Sequence, residues 1–217
     1  MKTDAKIQED VLQELKWDPK VTHERIGVSV SDGIVSLTGT VPSYLEKSAA
    51  EEATQRVMGV KAVVEKIDVK FPGEHRRDDQ EIAEAVLLAL QWHVQIPDKV
   101  LKVSVKEGWV TVVGQVEWEF QRNAIEDAIR ALSGITGVSN NVTLKSRVLP
   151  ENIKMKIEEA LKRSAEREAK RIQVGVHEGT VTLSGEVHSF AELKAVKGAA
   201  WSAPGVTTIV NNLTIAA

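Results

Sequence analysis

One pattern of 16 residues occurs three times in the sequence, and this repetition constrains the fold more than any other feature. The first copy runs from Ile26 to Val41, and related stretches occupy residues 101–116 and 172–187. Adding 75 to a position in the first copy gives the second copy, and adding 146 gives the third. Because self-similarity at fixed offsets indicates repeated structural units, we interpret the 217 residues as three small units.

Each copy alternates apolar and polar residues on both sides of a two-residue turn. In the first copy, Val28 and Val30 precede the turn at Asp32-Gly33, and the alternation resumes after it. An acidic residue followed by glycine between alternating runs predicts a β-hairpin. A second glycine interrupts the returning strand and indicates a bulge or a close approach of two backbones. The hairpin glycines are Gly33, Gly39, Gly108, Gly114, Gly179 and Gly185.

Apolar residues at helical spacing precede each hairpin, and a second helical stretch follows it. Ile7, Val11 and Leu15 define the first helix, with Asp4 as the expected N-cap. We expect second helices over residues 44–58, 119–133 and 190–203, followed by final strands over 63–69, 138–144 and 209–215. Three further glycines are expected to end the second helices as C-caps: Gly59, Gly134 and Gly205.

The predicted fold class is α+β, with three tandem α-β-β-α-β units. In each unit, two helices are expected to pack on one face of a three-stranded mixed sheet. The expected divisions are unit 1 over 1–70, a linker over 71–78, unit 2 over 79–145, a short linker over 146–149, and unit 3 over 150–217.

Composition and charge narrow the classes of function. A net charge of −3 gives no basic footprint for nucleic acid, and no apolar run is long enough to span a membrane. The first ten residues lack the apolar run of a signal peptide, so we expect a cytoplasmic protein; a periplasmic location is the alternative if a signal has been removed. The absence of cysteine excludes disulfides and thiolate metal sites.

No set of residues suggests catalysis or a cofactor. The five histidines do not recur at equivalent positions, and no acidic cluster accompanies them, so we expect no metal site. Neither a nucleophile with a matching base nor a phosphate-binding glycine loop is present. We therefore predict no catalytic residues, no cofactor and no enzyme activity.

The unusual residues are aromatic, and five of them are tryptophans. Several stand where the other copies carry dissimilar residues. Exposed aromatic residues are favoured at interfaces with lipid headgroups and with proteins. The candidate interaction surface, most of it in unit 2, is Trp109, Val113, Trp118, Phe120, Arg122 and Trp201. The alternative is that these tryptophans fill the seams between units. Trp17 and Trp92 occupy equivalent positions after the first helices, and we expect them to be packing residues.

The repeated pattern resembles the BON domain (bacterial OsmY and nodulation). The resemblance rests on the paired hairpin glycines, the alternating valines, and the helix-ending pairs Gly59-Val60, Gly134-Ile135 and Gly205-Val206. It implies a non-enzymatic module associated with osmotic or envelope stress that contacts phospholipid surfaces, here with an anionic membrane surface or another protein as the partner. Two alternatives remain: a protein scaffold or oligomer built through exposed sheet faces, and small-ligand binding between units.

Overall fold

The computed structural model describes residues 2–71, 77–97, 101–145, 153–164 and 172–215. Within these ranges lie six α-helices and nine β-strands, two helices and three strands to each unit. The helices are α1 (Asp4–Trp17), α2 (Tyr44–Arg56), α3 (Asp79–Trp92), α4 (Glu119–Arg130), α5 (Ile153–Ser164) and α6 (Phe190–Trp201). The strands are β1 (Ile26–Ser31), β2 (Ile34–Val41), β3 (Ala62–Val69), β4 (Leu101–Lys106), β5 (Trp109–Val116), β6 (Gly137–Leu144), β7 (Ile172–His177), β8 (Thr180–Val187) and β9 (Thr208–Ile215).

Each unit forms its own three-stranded sheet with the hairpin's second strand in the centre. In unit 1 the order is β1-β2-β3, with β1 antiparallel and β3 parallel to β2. The other two sheets repeat this order and pairing. The second helix of each unit connects the two parallel strands. The predicted fold class of three α-β-β-α-β units with mixed sheets is therefore confirmed.

The alternating pattern and the helical stripe meet in the core of each unit. Val35 and Leu37 point inward from β2 and are completely buried, together with Val11 and Leu15 of α1. Equivalent residues form a separate core in each of the other two units. The chain therefore has three small cores, one in each unit. In each unit the core lies between the sheet and the two helices that cover one face of it.

An aspartate at the start of the first helix holds the hairpin turn. The carboxylate of Asp4 accepts hydrogen bonds from the backbone N–H groups of Asp32 and Gly33, at 2.8 and 3.0 Å. Asp79 binds the second hairpin turn in the same way. The expected role of Asp4 as N-cap is wrong, because Thr3 caps α1 and leaves the Asp4 carboxylate free to bind the turn.

The helix-ending glycines lie slightly beyond their predicted place. The helix α2 ends at Arg56, and Gly59 follows in the turn with a φ of 99°. Gly134 and Gly205 have similar positive φ angles after α4 and α6. The prediction that these residues are direct C-caps is therefore wrong. Their positive φ belongs to the turn that leads into the final strand.

The first residue of each second helix faces the next unit. Tyr44 begins α2 and packs against the core of unit 2, whereas Phe190 begins α6 and packs against the core of unit 1. Glu119 begins α4 and lines a cleft with Lys197 and Trp201 of unit 3. One head-to-tail contact is thus repeated at equivalent positions and closes after three units. Closure of a repeated head-to-tail contact produces a ring with approximate threefold symmetry.

Other side chains join the units at the same seams. Arg130 of unit 2 donates a hydrogen bond to Glu52 of unit 1, with 2.7 Å between Nη1 and Oε1. Trp201 of unit 3 packs against the core of unit 2 as well as its own core. The helices α2 and α6 also contact each other directly. The seams therefore combine ionic and aromatic contacts, and their residues differ from one seam to the next.

Two glycines with opposite surroundings give a matched test of this packing. Gly39 has a φ of 137°, and a Cβ there would lie 2.0 Å from the carbonyl oxygen of Arg25. We expect Gly39→Ala to lower the free energy of unfolding by more than about 2 kcal/mol. In contrast, no atom lies within 4 Å of a Cβ at Gly198 in α6. Gly198→Ala should raise the free energy of unfolding by up to about 1 kcal/mol, because alanine favours a helix over glycine.

Urea unfolding followed by circular dichroism measures both changes. Equal stability of the Gly39→Ala variant and the unaltered chain would contradict the close backbone approach.

Candidate functional site

The six residues of the predicted interaction surface lie in two separate places. Trp109 and Val113 lie on the outer face of the unit 2 sheet, away from the helices, and are 48% and 41% exposed. Trp118, Phe120 and Arg122 lie at the start of α4, and the end of α6 brings Trp201 beside them. The six residues therefore form two groups and not a single surface. Trp109 and Val113 are a pair on the sheet face, and the other four form a cluster at the seam between units 2 and 3, which we call the seam cluster.

Trp109 is fixed on the sheet by two small neighbours. Its Nε1 donates a hydrogen bond to the hydroxyl of Ser139, at 2.9 Å. Its ring lies against Gly137, where a Cβ would be only 2.3 Å from Cζ3. Unit 1 has Ala62 and Val64 at the positions equivalent to Gly137 and Ser139. The tryptophan, glycine and serine therefore form one set that unit 1 does not share.

The seam cluster is built around the ring of Trp201. The guanidinium carbon of Arg122 lies 5.2 Å from the centre of this ring, within range for a cation–π interaction. Arg122 also donates to Oε1 of Glu119, at 2.6 Å. Both interactions are internal, so the Arg122 charge is already engaged by protein groups. Trp201 fits the alternative in which tryptophans fill the seams, whereas Phe120 is 52% exposed and faces solvent.

The most exposed tryptophans are Trp17 and Trp92, which the sequence led us to expect in packing roles. Trp17 is 85% exposed and Trp92 is 81% exposed, so the packing prediction is wrong. The helical period explains the error. Trp17 follows the buried Leu15 by two residues, which rotates it by about 200° around the helix to the solvent side. The equivalent positions showed that Trp17 and Trp92 belong together. Their angular position around the helix, relative to the buried leucine, was needed to show that they face solvent.

Further exposed apolar side chains accompany the two tryptophans. Met58 is 60% exposed and lines a shallow depression with Trp17. In unit 2, Leu88 is one helical turn before Trp92, and Val94 follows closely in the chain. Leu88 and Val94 are 57% and 97% exposed. We call these five residues the helix-end surface: Trp17, Met58, Leu88, Trp92 and Val94.

Charge differs between the two halves of the helix-end surface. Lys16 lies in the last turn of α1, next to Trp17. The helix α3 carries acidic residues in its first turn and no basic residue in its last turn. The unit 1 half therefore combines the Lys16 cation with Lys2, Asp10 and Glu14 in the depression beside Trp17, whereas the unit 2 half offers apolar contact without a neighbouring helical cation.

Two carboxylates at the seams are held in poorly solvated positions. Burial raises the pKa of Glu119, although Arg122 opposes this effect. Its second oxygen, Oε2, is buried and has no hydrogen-bond partner within the part of the chain that the structure describes. Burial also raises the pKa of Glu51 in α2, with further contributions from the negative charges of Glu65 and Glu52.

The raised pKa of Glu51 leads to a pH-dependent stability prediction. A carboxyl whose pKa is higher in the folded chain favours folding when protonated, and this stability is lost as pH rises through the folded pKa. We expect Glu51→Gln to increase the free energy of unfolding at pH 7. The increase should disappear below about pH 4, where an ordinary glutamate is itself protonated.

Glu52→Gln is the matched control, because it removes the charge that pairs with Arg130 and should not stabilise the chain. Urea titrations at several pH values provide the measurement. A Glu51→Gln variant that is less stable than the unaltered chain at pH 7 would contradict the prediction.

Within the described ranges, no group of three or more histidine and acidic side chains is placed to hold a metal ion. No helix in these ranges is long and apolar enough to cross a membrane.

A family model described as the BON domain matches three stretches of the chain, residues 3–70, 78–146 and 151–217. No functionally curated protein matches the sequence. Among solved structures, the chain is similar to CdsD, a structural protein of the type III secretion system of Chlamydia trachomatis. That match has 14% identity over 96% of this chain and 91% of the other, with a TM-score of 0.28. The C-terminal domain of CdsD matches with 15% identity over 96% of both chains and a TM-score of 0.27.

Proposed function

The chain belongs to the BON domain family, a family of non-catalytic binding domains, and we propose that it binds phospholipid membrane surfaces through the helix-end surface. The observation that carries this proposal is the exposure of Trp17 and Trp92, at 85% and 81%, at equivalent positions in two units. The association of the family with osmotic and envelope stress extends the proposal to a role under such stress.

The ring arrangement supports simultaneous contact by the two tryptophans. Under approximate threefold symmetry, equivalent residues lie at the same height along the symmetry axis. We infer that both rings point towards the same end of that axis, so that Trp17 and Trp92 contact one flat surface together. Tryptophan favours the interface between water and lipid, because its ring is amphipathic. Two contacts in one rigid ring bind more strongly than either contact alone, because the second forms at high effective concentration.

Local charge adds a smaller contribution. Lys16 lies beside Trp17, and a cation near the surface adds about 1 kcal/mol of attraction to anionic lipid. Because the net charge is −3 and α3 contributes no cation at its end, we expect a modest preference for anionic vesicles that salt weakens but does not remove.

Vesicle flotation of the full-length chain tests this proposal. Vesicles of phosphatidylglycerol and phosphatidylcholine are compared with vesicles of phosphatidylcholine alone, at low and high salt. Removing Trp17 or Trp92 should weaken binding by at least about tenfold each. The reason is that burial of a large apolar side chain contributes about 1.5–3 kcal/mol, and 1.4 kcal/mol is a tenfold change.

Two further variants separate this surface from other apolar residues. Val64→Ala with Val210→Ala, on the outer sheet faces, is the control and should bind as the unaltered chain does. Trp118→Ala with Phe120→Ala tests the seam cluster directly. Absence of flotation in every condition would contradict membrane binding. If a Trp17→Ala, Trp92→Ala variant bound vesicles as strongly as the unaltered chain, the helix-end surface would not be the membrane contact.

A protein-binding scaffold is the second candidate, and the charge of α3 favours it. Leu88, Trp92 and Val94 form an exposed apolar region on a helix that has acidic residues in its first turn and no cation in its last. Such a surface suits an apolar partner with basic flanks better than it suits anionic lipid. Loss of a co-purifying partner in the Trp92→Ala variant, without a change in flotation, would favour this second candidate.

A further inference from the structure

The seam between units 2 and 3 contains a pocket with an unusual lining. Its volume is about 410 Å³, within the range of small-molecule sites. Three aromatic side chains from two units line it: Trp118 and Phe120 from the start of α4, and Trp201 from the end of α6. Glu119, Asn123 and Gly198 complete the principal walls. We call these six residues the aromatic pocket.

The aromatic residues are specific to this seam. At the seam between units 1 and 2, the positions equivalent to Trp118, Phe120 and Trp201 are occupied by Ser43, Leu45 and Arg130. Arg130 uses its position to pair with Glu52 across that seam. The seam between units 1 and 2 is packed without an aromatic residue at these places. Trp201 also packs against the cores of units 2 and 3, whereas Phe120 is exposed, so seam packing alone does not explain why the three occur together here.

The charge of the lining is negative. Glu119 is the one charged residue among the pocket's lining residues that the structure describes. One of its oxygens accepts a hydrogen bond from Arg122, and the other is buried without a partner among the described groups. Arg122 itself lines the neighbouring cleft on the other side of Glu119 and Trp201. Because that second oxygen is buried, the negative charge of Glu119 would act on a cation in the aromatic pocket through its electric field and not by direct contact.

Open space is available beside the helix α6. A Cβ at Gly198 would have no heavy atom within 4 Å, and the equivalent residues in units 1 and 2 are Glu52 and Asp127. The exposed glycine therefore leaves open space at the edge of the aromatic pocket that a longer side chain would occupy. Aromatic faces attract cations through the ring quadrupole, and enclosure by several rings is the arrangement that recognises quaternary ammonium groups.

We propose that the aromatic pocket binds an alkylammonium cation, with Trp118, Phe120 and Trp201 around its methyl groups and Glu119 opposite its charge. The same chemistry is present in free trimethylammonium compounds and in the choline headgroup of a phospholipid. The proposal does not depend on membrane binding by the helix-end surface, because a water-soluble cation tests it alone.

Titration of the full-length chain with tetramethylammonium and choline chloride, at constant ionic strength, is the test. Indole N–H signals in NMR spectra report on the tryptophans individually. We expect saturable binding that shifts the signals of Trp118 and Trp201 and leaves that of Trp109 unchanged. The neutral isostere 3,3-dimethylbutan-1-ol should bind at least about tenfold more weakly, because it lacks the charge.

Two substitutions probe the pocket without removing a core residue. Gly198→Leu should abolish binding by filling the open space. Phe120→Leu retains apolar contact but loses the ring, and should weaken binding by about two- to fivefold. Trp109→Phe, outside the pocket, is the control and should bind normally. Equal affinity for choline and the neutral alcohol, unchanged binding by Gly198→Leu, or no saturable shift would each overturn the proposal.

Flotation with phosphatidylcholine vesicles distinguishes the two sources of the cation once binding is shown. A loss of flotation by Gly198→Leu identifies the lipid headgroup as the ligand. Unchanged flotation of Gly198→Leu, with loss of choline binding, identifies a free cation. Failure of all flotation, with choline binding intact, contradicts the proposed membrane function and leaves the aromatic pocket in place.

Discussion

Packing of each second helix against the next unit is the interaction on which the rest of the structure depends. A unit of about this size buries too little surface to be more than marginally stable by itself. Tyr44 of unit 1 packs on the core of unit 2, and Phe190 of unit 3 packs on the core of unit 1. Closure of the ring therefore stabilises all three units together and sets the relative positions of their exposed residues.

Residues that are shared by the three units and residues that differ between them lie in different parts of the structure. Hairpin turns, strand pairing and apolar cores recur in every unit, because each is required to form the fold. The residues that differ most lie at the seams and on exposed faces. Arg130 pairs with Glu52 at one seam, while Trp201 packs on unit 2 at another. A seam tolerates such variation since it needs contact, whereas the core needs a fixed volume.

The sequence predicted the fold of a single unit well. Alternation around Asp32-Gly33 gave the hairpin, and the spacing of Ile7, Val11 and Leu15 gave the buried face of α1. These patterns are local, so they can be read within a few residues. The helix ends were placed two or three residues too late, since the glycines that follow belong to a turn rather than to the cap.

The candidate site was predicted less completely, because it depends on contacts between distant parts of the chain. Comparison of the three copies identified Trp118 and Trp201, because the other copies carry dissimilar residues at these positions. No local sequence pattern indicated that α4 and α6 would bring the two tryptophans together. Trp109 was named as a candidate from the sequence, but its hydrogen bond to Ser139 depends on the parallel pairing of β5 with β6, which no local pattern shows. Trp17 and Trp92 were misplaced because equivalence alone does not distinguish shared packing from shared exposure.

The closed ring is the central claim, and an NMR measurement tests it most directly. In a methyl-labelled, full-length sample, nuclear Overhauser effects would be recorded from the ring protons of Phe190, assigned with a Phe190→Leu variant. We predict nuclear Overhauser effects to methyl groups in the core of unit 1, although about 140 residues separate α2 of that unit from α6, which carries Phe190. Effects confined to methyl groups of unit 3 would contradict closure of the ring.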